Sequence, residues 1–210
     1  MIDELLARIA AFHRSRTPVP EFAMVGEVLA ALDAAECPAT IPQAAPLTVT
    51  AHLDAVEPTG ADPALDAVIE AFLSVARRLP WRQTRSYLDV LSEEYLANYG
   101  YVQLLGPPPS IVDHRSVRVG IGLWGPDLHY PLHEHAAEEL YHVLAGEPVF
   151  GTEDGDWVHT GPGDAVHHPP WRRHAQRFGS TPTLLLYCWR GEVEADATLV
   201  GGAAAPTARR

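Results

Sequence analysis

From Tyr101 onward this chain is cut into short pieces. Gly125-Pro126-Asp127, Gly146-Glu147-Pro148, Asp154-Gly155-Asp156, Gly161-Pro162-Gly163-Asp164, Pro169-Pro170 and Ser180-Thr181-Pro182 each interrupt an apolar or β-prone run. Val117-Arg118-Val119-Gly120-Ile121-Gly122-Leu123 alternates as a strand does. Several short strands separated by turns predict a sandwich or barrel over residues 101–200.

The first hundred residues carry the other periodicity. Leu5, Leu6, Ile9, Ala10 and Phe12 recur at helical spacing, as do apolar residues from Phe22 to Leu32. Asp62-Pro63 is a helix start, with Asp able to cap and Pro suited to the first turn, and Leu65, Val68, Ile69, Phe72, Leu73 and Ala76 form one stripe behind it. A fourth helix is expected from Ser92 to Gly100. The stretch from Pro38 to Pro58 reads either as irregular connector or as holding a short strand at Leu47 to Leu53. The expected organisation is a helical extension over 1–100 packed on a barrel over 101–200, with a disordered tail over 201–210.

Composition removes several function classes. All 15 positive charges are Arg, so Schiff-base chemistry, a pyridoxal-phosphate anchor and a P-loop lysine are excluded. A formal net charge of -12 argues against nucleic acid as a partner, which would require a basic stripe. Cys37 and Cys188 are far apart and form no metal-binding pair, which fits a reducing compartment. The start Met1-Ile2-Asp3-Glu4 is too acidic for a signal peptide and no apolar run spans a bilayer, so a cytoplasmic protein without a membrane partner is expected.

Histidine is abundant instead: eight of the 11 fall between His129 and His174. On a strand, His133 and His135 share a face and can reach one metal ion, and Glu139 can bring a carboxylate from the next strand. His174 is the preferred fourth ligand, with His167 and His168 as competitors. Such a set suits one divalent transition metal ion, Zn, Fe, Mn, Co or Ni, without choosing among them. His142, out of phase with Glu139, is expected to face away, and His129 is a hydrogen-bond donor to a metal ligand, a substrate contact or a surface residue.

These residues resemble the cupin family. Its first motif, H-x-H-x3-E-x6-G, is matched by His133, His135, Glu139 and Gly146, and its second by Gly163, Pro169 and His174, with sixteen residues between the two glycines. Asp127 and Trp171 stand where the motifs have Gly, and Phe178 where the second has Asn. The resemblance implies a mainly β fold, the cupin double-stranded β-helix or jelly-roll barrel, with the metal held by three His and one Glu.

A narrower resemblance follows from H-x-H-x-A-x-E-x-Y at His133 to Tyr141, from Leu186-Tyr187-Cys188-Trp189-Arg190-Gly191, and from the helical segment ahead of the barrel. It is to the cupin-type dimethylsulfoniopropionate (DMSP) lyases. That implies metal-dependent cleavage of the substrate C–S bond to dimethyl sulfide and acrylate by β-elimination, with Tyr141 as the base. Tyr141, two residues after Glu139, shares its face in any strand. A small zwitterionic substrate would rest its sulfonium on aromatic faces, for which Tyr130, Trp124, Tyr187 and Trp189 are candidates, and Arg172 or Arg173 could hold a carboxylate. A related lyase acting on another small carboxylate, an Fe(II) cupin dioxygenase and a non-catalytic ligand-binding cupin are the competing readings. A homodimer is the candidate assembly.

Overall fold

The structure is a computed structural model that describes residues 1–16 and 24–201. The expected tail beyond Gly201, and Phe22 at the head of the second helix, lie outside the described residues.

Helix α1 (Ile2–Ser15) and helix α2 (Met24–Asp33) come first, followed by a 3₁₀ helix (Thr48–Ala55) and helix α3 (Pro63–Leu73). Asp62 caps α3 as its chemistry requires, accepting from the amides of Ala64 and Leu65 with Pro63 at the first helical position. The Pro38 to Pro58 stretch holds neither connector alone nor a strand. Its core is the 3₁₀ helix, whose His52 Nε2 lies 2.7 Å from Asn98 Oδ1. Helix α4 (Glu93–Ala97) is capped by Ser92 but ends well before Gly100. Gly100 instead sits in a strand, because Leu47 and Val49 approach so closely that an added Cβ would lie 3.0 Å from each.

Two sheets make the barrel. One has six strands in the order β2 (Val112–Asp113), β1 (Tyr99–Gly106), β3 (Val117–Trp124), β10 (Thr183–Arg190), β5 (Glu138–Ala145) and β8 (Ala165–His168). The other has five, β11 (Thr198–Leu199), β4 (His129–Glu134), β9 (His174–Arg177), β6 (Val149–Thr152) and β7 (Trp157–His159). This is the mainly β jelly-roll of the cupin type, with helices ahead of it.

The six-stranded sheet is buried on both faces, and the two faces have different chemistry. Outward, Val119, Ile121 and Leu123 of β3, Leu140 and Leu144 of β5 and Leu184 and Leu186 of β10 pack with Leu5, Ile9, Phe12, Val28, Leu65, Ile69 and Phe72 of the helices. Each fully buried side chain of this kind contributes about 1.5–3 kcal/mol. Inward, Tyr99, Tyr101, Trp124, Tyr141, Tyr187 and Trp189 form an aromatic cluster with Tyr130 and Phe150 of the opposite sheet. The glycines of β3 belong to that inner face: a Cβ on Gly120 would lie 2.3 Å from the Tyr187 hydroxyl, and one on Gly122 2.5 Å from the Trp124 ring. The alternation of β3 therefore separates a helix-covered face from a cavity-lining one, not core from solvent.

Candidate metal and active site

Strand β10 runs between β3 and β5, so its partners on either side form rows across the inner wall. One row is Arg118, Trp189, Glu139 and His168; the next is Gly120, Tyr187, Tyr141 and Val166. On the facing wall His133 of β4 pairs with His174 of β9. His135 lies one residue past the end of β4, in the connection to β5.

His135, Glu139 and His174 converge, with one ligand atom from each within 4.8 Å of the others and all three buried. His135 Nε2 is 3.0 Å from Glu139 Oε2, and His174 Nε2 is 3.2 Å from the same oxygen. Each imidazole is anchored by its other nitrogen to a backbone carbonyl: His133 Nδ1 to Pro131 at 2.8 Å, His135 Nδ1 to Ala137 at 2.9 Å, His174 Nδ1 to Arg172 at 2.7 Å. A carbonyl only accepts, so Nδ1 is the donor in each ring and Nε2 is left as the ligating atom. His174 Nε2 is buried without a hydrogen-bond partner. Imidazole lone pairs converging on a carboxylate are what a divalent transition metal requires, and the residues fit such an ion.

The electrostatics agree. Burial disfavours a charged Glu139, but His135 and His174 hold it well below the usual carboxylate range. Burial likewise opposes protonation of His135, and Glu139 overrides it, so this ring sits above its ordinary value. His133, lowered by burial and then by His174, stays neutral.

His133 lies beside the trio, its ring nearer that of His174 than the His135 ring is, at 4.1 Å against 5.1 Å. Its ring stacks on Tyr130 at 3.9 Å and lies 4.1 Å from that of His174, but 6.4 Å from that of His135. The strand-face argument that paired it with His135 assumes one continuous strand, and β4 ends at Glu134. His168 does not displace His174: it stacks behind that ring at 3.8 Å and forms part of the wall. His167 bonds Glu138 at 2.8 Å, away from the trio. His142 faces outward onto Phe12 and His13 of α1.

Beside the trio is a cavity lined by Glu139, Tyr141, Trp124, Tyr130, Tyr187, Trp189, Tyr99, Tyr101, Thr84, Arg118, Asp196 and Ala197. Tyr141 lies beside Glu139 on the cavity wall, and burial followed by that carboxylate keeps its phenol well above its ordinary value. Trp189 lines the cavity and also touches the trio: its indole stacks on His135 at 4.2 Å and donates from Nε1 to Glu139 Oε1 at 2.5 Å. His129 is not brought to the cavity; it is exposed at the edge of β4 opposite Arg177, because its neighbour Tyr130 takes the inward position. Arg172 and Arg173 are surface residues paired with Asp154 and Glu134.

The sequence reading missed Tyr87, Tyr99, Tyr101 and Arg118. Tyr87 arrives from the helical half and its hydroxyl meets that of Tyr130 at 2.7 Å, a contact no local pattern encodes. Arg118 had a signal: it is the one charge on the Gly120 and Gly122 side of β3.

The two motif glycines that the sequence replaces are explained by the backbone. Asp127 and Trp171 have φ of 57° and 62°, so the left-handed turns are kept with non-glycine residues. At the second, the Trp171 amide donates to the His135 carbonyl at 2.8 Å. Phe178, in place of Asn, stacks on Trp124 at 5.1 Å.

Known proteins resemble this one over most of the chain. A DMSP lyase DddQ of Ruegeria pomeroyi is 29% identical over 192 residues, covering 91% of this chain and 90% of that protein. A crystal structure of DMSP lyase DddQ from the same organism superposes with a TM-score of 0.82 at 27% identity, covering 97% of this chain and 98% of the other. A structure from the set of DMSP lyases RdDddP and RnDddQII gives 0.76 at 26% identity, covering 95% and 97%. The family model for dimethylsulfoniopropionate lyase matches residues 23–185, and the chain belongs to that family.

Proposed function

We propose that this protein is a metal-dependent DMSP lyase in which Tyr141 removes a proton from the carbon next to the substrate carboxylate. The electron pair forms the C=C bond as the C–S bond breaks, releasing dimethyl sulfide and acrylate. The sulfide leaves without needing a proton, so one base suffices. The observation carrying this reading is the placement of Tyr141 beside Glu139 on one strand face, both lining an aromatic cavity.

His135, Glu139 and His174 would hold one divalent transition metal ion, Zn, Fe, Mn, Co or Ni, with His133 beside them as the fourth ligand implied by the spacing. When bound, such an ion supplies positive charge that polarises a substrate carboxylate and lowers the pKa of an adjacent phenol. Glu139 lies beside Tyr141 on the cavity wall, and its charge acts on the phenol. Trp124, Tyr130 and Tyr187 present the aromatic wall for a sulfonium, each such contact supplying about 0.5–2 kcal/mol.

Purified enzyme given DMSP and each of these metals in turn should release dimethyl sulfide into the headspace. Tyr141→Phe should lower the rate about 10²–10⁴-fold while retaining metal. Absence of dimethyl sulfide with every metal would overturn the substrate, and an unchanged rate in Tyr141→Phe would remove Tyr141 as the base.

A further inference from the structure

We propose that Arg118 is a positioning residue for the metal ligands, acting through the Trp189 indole on Glu139 and His135. The inference rests on the reading that the trio holds an ion. Arg118 faces the cavity from β3 at 6% exposure, where an Arg is costly unless its charge is used. Its guanidinium donates to the Val193 carbonyl at 2.5 Å and pairs with Asp196 at 3.2 Å, while Nε stays buried without a partner. The same group lies 4.8 Å from the centre of the Trp189 ring, and Arg118, Trp189 and Glu139 are direct neighbours across three strands.

Trp189 decides how Glu139 is presented. Its Nε1–H occupies Oε1, which leaves Oε2 for the imidazoles, and its ring is the surface on which His135 stacks. An indole that turned would release both ligands. From the β3 side it is the planar guanidinium that packs against the ring. The next inward position on β3 is Gly120, which supplies no side chain. Gly106 leaves room for the Arg118 stem, since a Cβ there would lie 3.1 Å from Arg118 Cγ. The chain of contacts therefore runs from guanidinium to indole to carboxylate and imidazole.

The test is Co²⁺ affinity of the full-length protein, stripped with chelator and titrated against a competing indicator. Arg118→Met, which keeps the length of the stem, and Trp189→Phe should each weaken Co²⁺ binding about 10- to 100-fold. The double variant should be no weaker than the worse single, because both act through one indole. Asp196→Asn should stay within about two-fold of wild type. If Arg118→Met does not fold, Arg118→Lys carries the test: it retains the charge near Asp196 but not the planar face, and is expected to keep the melting temperature while still weakening Co²⁺ binding. Wild-type affinity in whichever of Arg118→Met and Arg118→Lys folds, additive losses in the double variant, or an Asp196→Asn loss equal to that of Arg118→Met would overturn the proposal. Failure of the wild-type chain to bind Co²⁺ would overturn the metal reading as well, so the two failures are distinguishable.

Discussion

At the scale of single residues, the site is an arrangement of committed nitrogens. Each of the three imidazoles gives Nδ1 to a nearby carbonyl, so rotating any ring costs a hydrogen bond. Metal analysis of variants should separate the proposed trio from His133. His135→Ala and His174→Ala are expected to lose bound metal. His133→Ala should retain it with affinity lowered about 10- to 100-fold, and equal loss in all three would place His133 fully in the coordination shell. Trp171 offers a stability test. It holds φ of 62° with its side chain 61% exposed, so it bears left-handed strain with little packing in return. Trp171→Gly should stabilise the protein by about 1 kcal/mol, raising the melting temperature by about 2–4 °C. A lower melting temperature would mean that the indole contributes contacts outweighing the strain.

At the scale of elements, α1 is docked on the outer face of the barrel partly by polar groups. His13 of α1 packs against His142 of β5 at 5.1 Å and against Cys188 of β10 at 3.5 Å, with Arg16 at the end of the same helix. Burial lowers His13 from 6.5 to about 4, and burial followed by His13 and Arg16 lowers His142 as well. The unfolded chain therefore takes up these protons before the folded one does. Stability is fully present above about pH 6.5 and falls as pH drops from there towards 4, by about 1.4 kcal/mol per pH unit for one such group. Urea midpoints measured across this window should fall less steeply in His13→Leu than in wild type; parallel slopes would show that these protons are not what destabilises the acid form.

For the whole molecule, the trio ties the two sheets together. Glu139 belongs to the six-stranded sheet and His174 to the five-stranded one, with His135 in the connection between them. An ion shared by the trio would be bound by the folded chain and not by the unfolded one. At a free concentration of about 1,000 times its Kd, it adds about 4 kcal/mol to stability. Melting curves with saturating metal and with chelator should separate accordingly, and identical curves would show that the trio binds no ion in the folded state. Among the described residues no helix is long and apolar enough to cross a membrane.

The order of turns and the parity of each strand were legible because both are local. Gly and Pro mark where a strand must stop, and a period of two puts Tyr141 on the face of Glu139 whatever the strand packs against. Residue types at motif spacing likewise named His135, Glu139 and His174. Parity stops at the end of β4, so it does not by itself relate His133 to His135. It also could not say which face of β10 is inward. Tyr187 and Trp189 line the cavity only because the N-terminal helices cover the opposite face. The parts taken by Trp189, Tyr87 and Arg118 depend on contacts between strands or halves far apart in sequence. The chain alone thus determined which groups could share one strand face; packing decided which of them converge on one cavity, since only the closed barrel selects among faces that local periodicity leaves equivalent.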